Sequence, residues 1–296
     1  MGSSSSKDQI KTAIKEQKVI NQPAKFSIKW NKEVLRQQSN SVCLISTKKG
    51  NGTGFLCKIP NPVLITDNHI LNKDQIKPGN EIKICFTDEE DKKQYKTIKI
   101  DEKRTTYTIE TLDKEEINIT IIEIKPDEDD LLDKEFIEID KDLMGENVKN
   151  FYEAKDCYLI YYEKGESLMT SIGSINEIEK KCESFSLYHT CYSNKDSFGG
   201  PIILFNNKVI GVNIKSSKSE NLYKASLLQY PILDYLDKLE YKDLTNKNGI
   251  KMIYKINKEK EGMRILDGFR DKNKEKCKLI INKKLYDICN YINFRF

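Results

Sequence analysis

From Ser41 onward the chain is dominated by short β-branched and aromatic runs set between turn-forming or charged stretches. A first series reads SVCLIST, GFLCKI, PVLIT, EIKICF, QYKTIKI and NITIIEI; a second reads CYLIYY, MTSIGSI, SFSLYH, PIILF, KVIGVNI and YKASLLQY. Short, regularly spaced runs rich in Val, Ile, Thr and Tyr build sandwiches or barrels rather than helical layers. The acidic stretch from Pro126 to Asn150 divides them into two sets of six. The expectation is an all-β body of two packed six-stranded antiparallel barrels. After Pro231 the period changes: in ILDYLDKLE, residues Ile232, Tyr235, Leu236 and Leu239 share one helical face, which predicts a terminal helix. Residues 250–296 return to strand-like runs in a segment too short to bury much core of its own, a small β-rich appendage. The division expected is a basic segment 1–35, a body 36–245 and a small basic β-rich module 246–296.

Composition narrows the class of protein. With 38% hydrophobic and 32% charged residues the surface is heavily solvated. No apolar run approaches a membrane span, and the start lacks the apolar core of a signal peptide, so the cytoplasm is the expected compartment. There, the eight cysteines are expected as buried free thiols rather than disulfides. They include no CxxC pair, and with two histidines in the chain a Cys/His metal site has little to draw on. No metal or cofactor is expected, and phosphate-loop and dinucleotide fingerprints are absent.

The net charge of +4 is unevenly spread. Residues 241–296 hold fifteen Lys or Arg against seven Asp or Glu, and residues 1–30 hold six Lys against Asp8 and Glu16. The body between them is acidic. The first residues, MGSSSS, satisfy the N-myristoylation pattern with Gly2 as acceptor and Ser6 in the last position. Lys7, Lys11, Lys15 and Lys18 follow at helical spacing, and one acyl chain plus a basic face implies weak, reversible contact with an anionic membrane. Nothing beyond charge points to nucleic acid: no zinc finger, helix-turn-helix or aromatic-interleaved basic motif appears.

Three further segments occur in a meaningful order: NGTGFLCK at 51–58, PVLITDNHIL with His69 just after a strand, and NKDSFGGPIILF followed by the hairpin NNKVIGVNI. Over roughly residues 36–240 this arrangement resembles the trypsin-like (chymotrypsin-like, PA clan) serine protease superfamily, which pairs a GTGF-type strand, a TxxH strand end and a Ser-GGP loop. The resemblance implies that His69 stands at the general-base position. A serine hydroxyl there becomes nucleophilic when an imidazole takes its proton, and an acid behind the imidazole holds the tautomer.

The other positions depart from the pattern. The acid is expected in the segment INITIIEI, where Asn118 stands; the same change in a chymotrypsin-type enzyme costs about ten-thousandfold in rate. Asp113, Glu115 and Glu116 lie close by but need a different loop path to reach His69. Counting back from GGP, Phe198 takes the nucleophile position, Ser197 the one before it, and Asp196 that of the oxyanion-hole glycine. A carboxylate there opposes the negative charge that develops on the substrate. An alternative alignment, with one inserted residue, makes Ser197 the nucleophile and Phe198 a bulge. His189 either lines a specificity pocket or packs in its strand. Two functions follow as expectations. One is a catalytically impaired or inactive pseudoprotease holding a peptide or protein in the inter-barrel cleft. The other is an active serine endopeptidase using His69 and Ser197.

Overall fold

In a computed structural model the described residues are 28–48, 50–88, 92–112, 115–145, 147–181, 184–219 and 222–246, with a strand pair at 278–281 and 284–287. Gly2 and the lysine face behind it, Asp113, Cys182, Cys277 and Cys289 lie outside them. The chain divides into two compact units, Met1–Leu239 and Glu240–Phe296.

The first unit opens with helix α1 (Ile28–Asn40), which leads into β1 (Val42–Thr47), β2 (Gly50–Ile59) and β3 (Asn61–Asp67). β4 (Glu81–Thr87), β5 (Lys93–Lys99), β6 (Thr106–Leu112), β7 (Glu115–Glu123) and the short β8 (Ile137–Glu138) follow. These form one eight-stranded sheet in the order β5-β4-β1-β2-β3-β7-β6, with β8 paired parallel to β2. The second set, β9 (Asp156–Glu163), β10 (Ser167–Lys181), β11 (Ser184–His189), β12 (Pro201–Leu204), β13 (Val209–Ser219) and β14 (Leu222–Leu227), closes into a six-stranded antiparallel barrel in the order β10-β11-β14-β13-β12-β9. A short helix, α2 (Val148–Tyr152), precedes the barrel, and α3 (Gln229–Asn246) follows it.

The continuous apolar runs have a direct cause. Side chains alternate between the two faces of a strand, and here both faces are covered. From β1, Val42 and Leu44 enter one buried cluster while Cys43 and Ile45 enter another. Phe55 and Cys57 part from Leu56 in the same way on β2, and Val63 and Ile65 from Leu64 on β3. The first cluster is shared with barrel residues such as Leu159, Ile202 and Val212, so one sheet face is the seam between the two β systems.

All six runs of the second series are strands, and α3 buries Ile232 and Tyr235 with Leu236 and Leu239 packed alongside. The first series differs from the six-stranded barrel expected. An additional strand, β6, pairs with β7 at the end of the sheet; its TYTIETL alternates rather than running apolar, because it buries one face only around Tyr107. Helix α1 replaces part of what reads as a basic leader. Its Val34 and Gln37 are buried, Gln38 bonds Thr170 at 2.8 Å, and the Tyr158 hydroxyl sits 2.7 Å from Gln37 Oε1 and 3.0 Å from Asn207 Oδ1. Cys43, Cys57, Cys85, Cys157 and Cys191 are free and buried, as expected of reduced thiols. In the second unit, β15 (Lys278–Ile281) and β16 (Lys284–Asp287) form an antiparallel pair.

The acidic connection between the two series is held by Asp140. Its buried carboxylate accepts the Tyr152 hydroxyl at 2.7 Å, the Asn206 amide at 2.8 Å and the Asp142 N–H at 3.0 Å. Burial pushes its pKa up, but the bonds from Asn206, Tyr152 and Asp142 outweigh it and hold the group below the ordinary carboxylate value. A lowered carboxylate pKa stabilises the fold above the unfolded value, and the benefit is lost as pH falls through the folded pKa. Asp140→Asn is therefore expected to lower stability at pH 7 by about 2 kcal/mol, the scale of a hydrogen bond to a charged group. Urea titrations should show its deficit against the parent shrinking as the pH falls below the ordinary carboxylate range.

Candidate active-site cleft

β3 ends at Thr66 and Asp67, and the chain turns sharply through Asn68, His69 and Ile70. Asp67 makes this turn: its buried Oδ1 accepts the backbone N–H of His69 at 2.7 Å and lies 2.8 Å from Nδ1 of the same ring. An Asp bonding the backbone two residues on is a common turn device. Here it also fixes the imidazole, whose side chain is 42% exposed against 0% for Asp67. A proton on Nδ1 facing the carboxylate leaves Nε2 as the basic nitrogen of the neutral ring.

Asn118 comes to the same place from β7. It is buried, adopts φ 52° at an irregularity in the β6–β7 register, and accepts the N–H of Asn68 on its carbonyl at 3.1 Å. The position named by the resemblance thus adjoins the histidine turn. The carboxylate on His69 Nδ1, however, belongs to Asp67, which the sequence reading passed over. The signal available was the spacing Asp-x-His directly after a strand. Glu116 is exposed, with its carbonyl 3.4 Å from Lys224 Nζ.

The GGP turn is built on a 3-10 turn, Lys195–Ser197, and on Asn213 of β13. Ser197 is fully buried. Its hydroxyl donates to the Asn194 carbonyl at 2.7 Å, accepts from the Asn194 N–H at 3.0 Å and from Asn213 Nδ2 at 2.9 Å, and lies 2.8 Å from Ser193 Oγ. His69 is not among these partners. Asn213 Nδ2 also reaches Ser193 Oγ at 2.8 Å and the Ser197 carbonyl at 3.0 Å. The Asn213 main chain completes the clamp, accepting from Gly199 N–H at 2.8 Å and donating to Gly200 O at 2.9 Å. Its Oδ1 faces Nε2 of His189 at 3.2 Å, so His189 packs in its strand, fully buried. Asp196 lies in the 3-10 turn, its side chain outside the described residues.

The turn meets the histidine strand at Gly199. With φ +83° it occupies the left-handed region, and a Cβ there would fall 2.0 Å from Thr53 O and 2.4 Å from Thr66 Oγ1. Thr53 of β2 bridges the seam: its N–H donates to Phe198 O at 3.1 Å, and its hydroxyl accepts from Tyr162 N–H at 3.0 Å. The residue immediately before the glycine that touches the Thr66–Asp67 strand end is therefore Phe198, which is half-buried and offers no hydroxyl to the imidazole. Among the described residues no group of three or more His, Cys, Asp or Glu is placed to hold a metal ion.

Gly199 leaves no room for a side chain, because the obstructing atoms at Thr53 are main chain and φ is unfavourable for L-residues. Gly199→Ala is expected to fold poorly, with a loss of at least about 3 kcal/mol by the usual scale of combined strain and overpacking. Thermal unfolding of the purified variant beside Gly79→Ala, where φ is +92° but nothing stands within 4 Å, separates the steric part from the backbone part.

No protein-family model matches the sequence, and no curated protein matches it. Solved structures do. The HtrA-type protease AlgW, in a serine-to-alanine variant with a tripeptide, matches with TM-score 0.50 and 14% identity, over 72% of this chain and 64% of that one. Deg5 matches with TM-score 0.49 and 18% identity, over 70% of this chain and 94% of that one. With its closed six-stranded barrel, its second sheet and its C-terminal helix, this chain has the chymotrypsin-like fold of the trypsin-like, PA-clan serine proteases.

Proposed function

We propose that the protein holds an extended peptide or protein segment in the cleft between its two β systems and does not cleave it efficiently. One observation carries this reading: the side chain before the GG pair is a phenyl ring, while the adjoining Ser197 hydroxyl is fully buried and committed to Ser193, Asn194 and Asn213. A hydroxyl that attacks a carbonyl must be within reach of both base and substrate. Holding a chain does not need a nucleophile, since strand addition and side-chain pockets depend on the β framework.

A second reading, a serine endopeptidase using His69 and Ser197, draws on the Asp67 carboxylate behind the imidazole. It requires Ser197 to leave its partners on Ser193, Asn194 and Asn213 and turn toward His69. A fluorophosphonate probe separates the two. The parent protein is expected to stay unlabelled, and a variant combining Phe198→Ser with Asp196→Gly to become labelled at residue 198. Stoichiometric labelling of Ser197 in the parent would overturn the binding-only reading.

We further propose a cytoplasmic location with reversible contact to anionic membranes through an acylated Gly2 and the lysines that follow it. Intact mass of the protein from its native cells should show Gly2 myristoylated. Binding to vesicles containing phosphatidylserine should be lost in Gly2→Ala.

A further inference from the structure

Behind the GGP turn lies a second group of reactive side chains. Cys157 of β9 and Cys191, just past β11, are both fully buried, with their sulfurs 3.6 Å apart. They meet because β10 is notched between them. Gly173 pairs with Cys157 across the β9–β10 ladder, and a Cβ on Gly173 would strike Cys191 N at 2.4 Å. His189 stands two residues before Cys191; its Nε2 faces Asn213 and its buried Nδ1 has no hydrogen-bond partner. A polar network therefore runs from His189, two residues before Cys191, to Asn213, and from Asn213 to Ser193, Ser197 and the GGP turn.

We propose that Cys157 and Cys191 form a reversible disulfide under a small oxidant such as hydrogen peroxide, and that its formation repositions the loop 191–197 carrying the turn. The Cys191 thiolate attacks one peroxide oxygen, the O–O bond breaks, and the departing hydroxide takes a proton to leave water and a sulfenic acid at Cys191. The Cys157 sulfur then attacks Cys191, the S–O bond breaks, and a second water leaves. Two thiols are oxidised and one peroxide is reduced, with no further reagent. The hydrogen bond between the two sulfurs pulls the Cys191 thiol below its ordinary range and pushes Cys157 above it. Burial opposes charge on both, and His189 adds to the fall at Cys191. Cys191, at the start of a loop, is assigned the attacking role, and Cys157, held by pairs on both sides, the resolving one.

Closing the bond must shorten the sulfur separation by about 1.5 Å, given the fixed S–S length. Cys157 is paired on both sides, with Gly173 of β10 and Leu204 of β12, whereas Cys191 begins a loop. The loop side moves, taking with it Tyr192, whose N–H is bonded to Ser171, and Ser193, which is bonded to Asn213. An effect on a ligand in the cleft would rest on the function proposed above; the bond and the loop movement do not.

The test uses the full chain treated with hydrogen peroxide, digested without reductant and mapped by mass spectrometry, beside amide exchange of residues 192–200. Expected are a peptide pair joined through Cys157 and Cys191, two hydrogens lighter than the reduced pair and released by dithiothreitol, and altered exchange in that loop. In Cys157→Ser the link should be absent and Cys191 should be trapped by dimedone as sulfenic acid. The proposal is overturned if both thiols of the peroxide-treated parent remain fully alkylatable after denaturation. A link to another cysteine, or the Cys157–Cys191 link with unchanged loop exchange, overturns it equally. Because these readouts are made on the parent, a poorly folding Cys157→Ser does not affect the decision.

Discussion

The amide of Asn213 organises the polar core of the barrel. It donates to Ser193, to the Ser197 hydroxyl and to the Ser197 carbonyl, and it faces His189, while its own main chain pairs with Gly199 and Gly200. All of this lies out of contact with water, where an unmade hydrogen bond costs the desolvation of the group left alone. Each partner therefore depends on the others. The turn follows from the clamp, and the position of Phe198 follows from the turn.

That dependence separates the fold from the chemistry. The GGP turn is shaped by glycines that admit the approach of Thr53 and Thr66, and by Asn213, none of which needs a particular side chain at residue 198. A phenyl ring can stand there without loosening the seam. Conversely, Ser197 contributes its hydroxyl to holding the turn.

The histidine turn shows a different substitution of parts. Asn118 arrives beside Asn68 through its carbonyl, at a positive φ that sets its backbone apart from the ladder. The carboxylate on the ring comes from Asp67, in the same turn as the histidine. A local Asx bond needs no long-range loop to place it, so the imidazole is oriented by the strand that carries it.

The sequence by itself determined the β architecture: period-2 burial on strands covered on both faces writes itself as continuous apolar runs, and the buried helix face after Pro231 writes itself at period 3.6. The end of β3 before His69 and the strand after GGP were legible too, because glycine positions and strand ends are local properties. β6 and α1 escaped notice because each buries a single narrow face around Tyr107, or around Val34 and Gln37, and leaves little apolar signal. What only the tertiary structure decided is which atoms meet. Asn213 and the Ser193–Ser197 loop come from two separate segments, and Cys157, Gly173 and Cys191 from three. Barrel closure brings them together, and hydrogen-bond direction in a dry interior, which no residue type carries alone, turns the Ser197 hydroxyl toward Asn213.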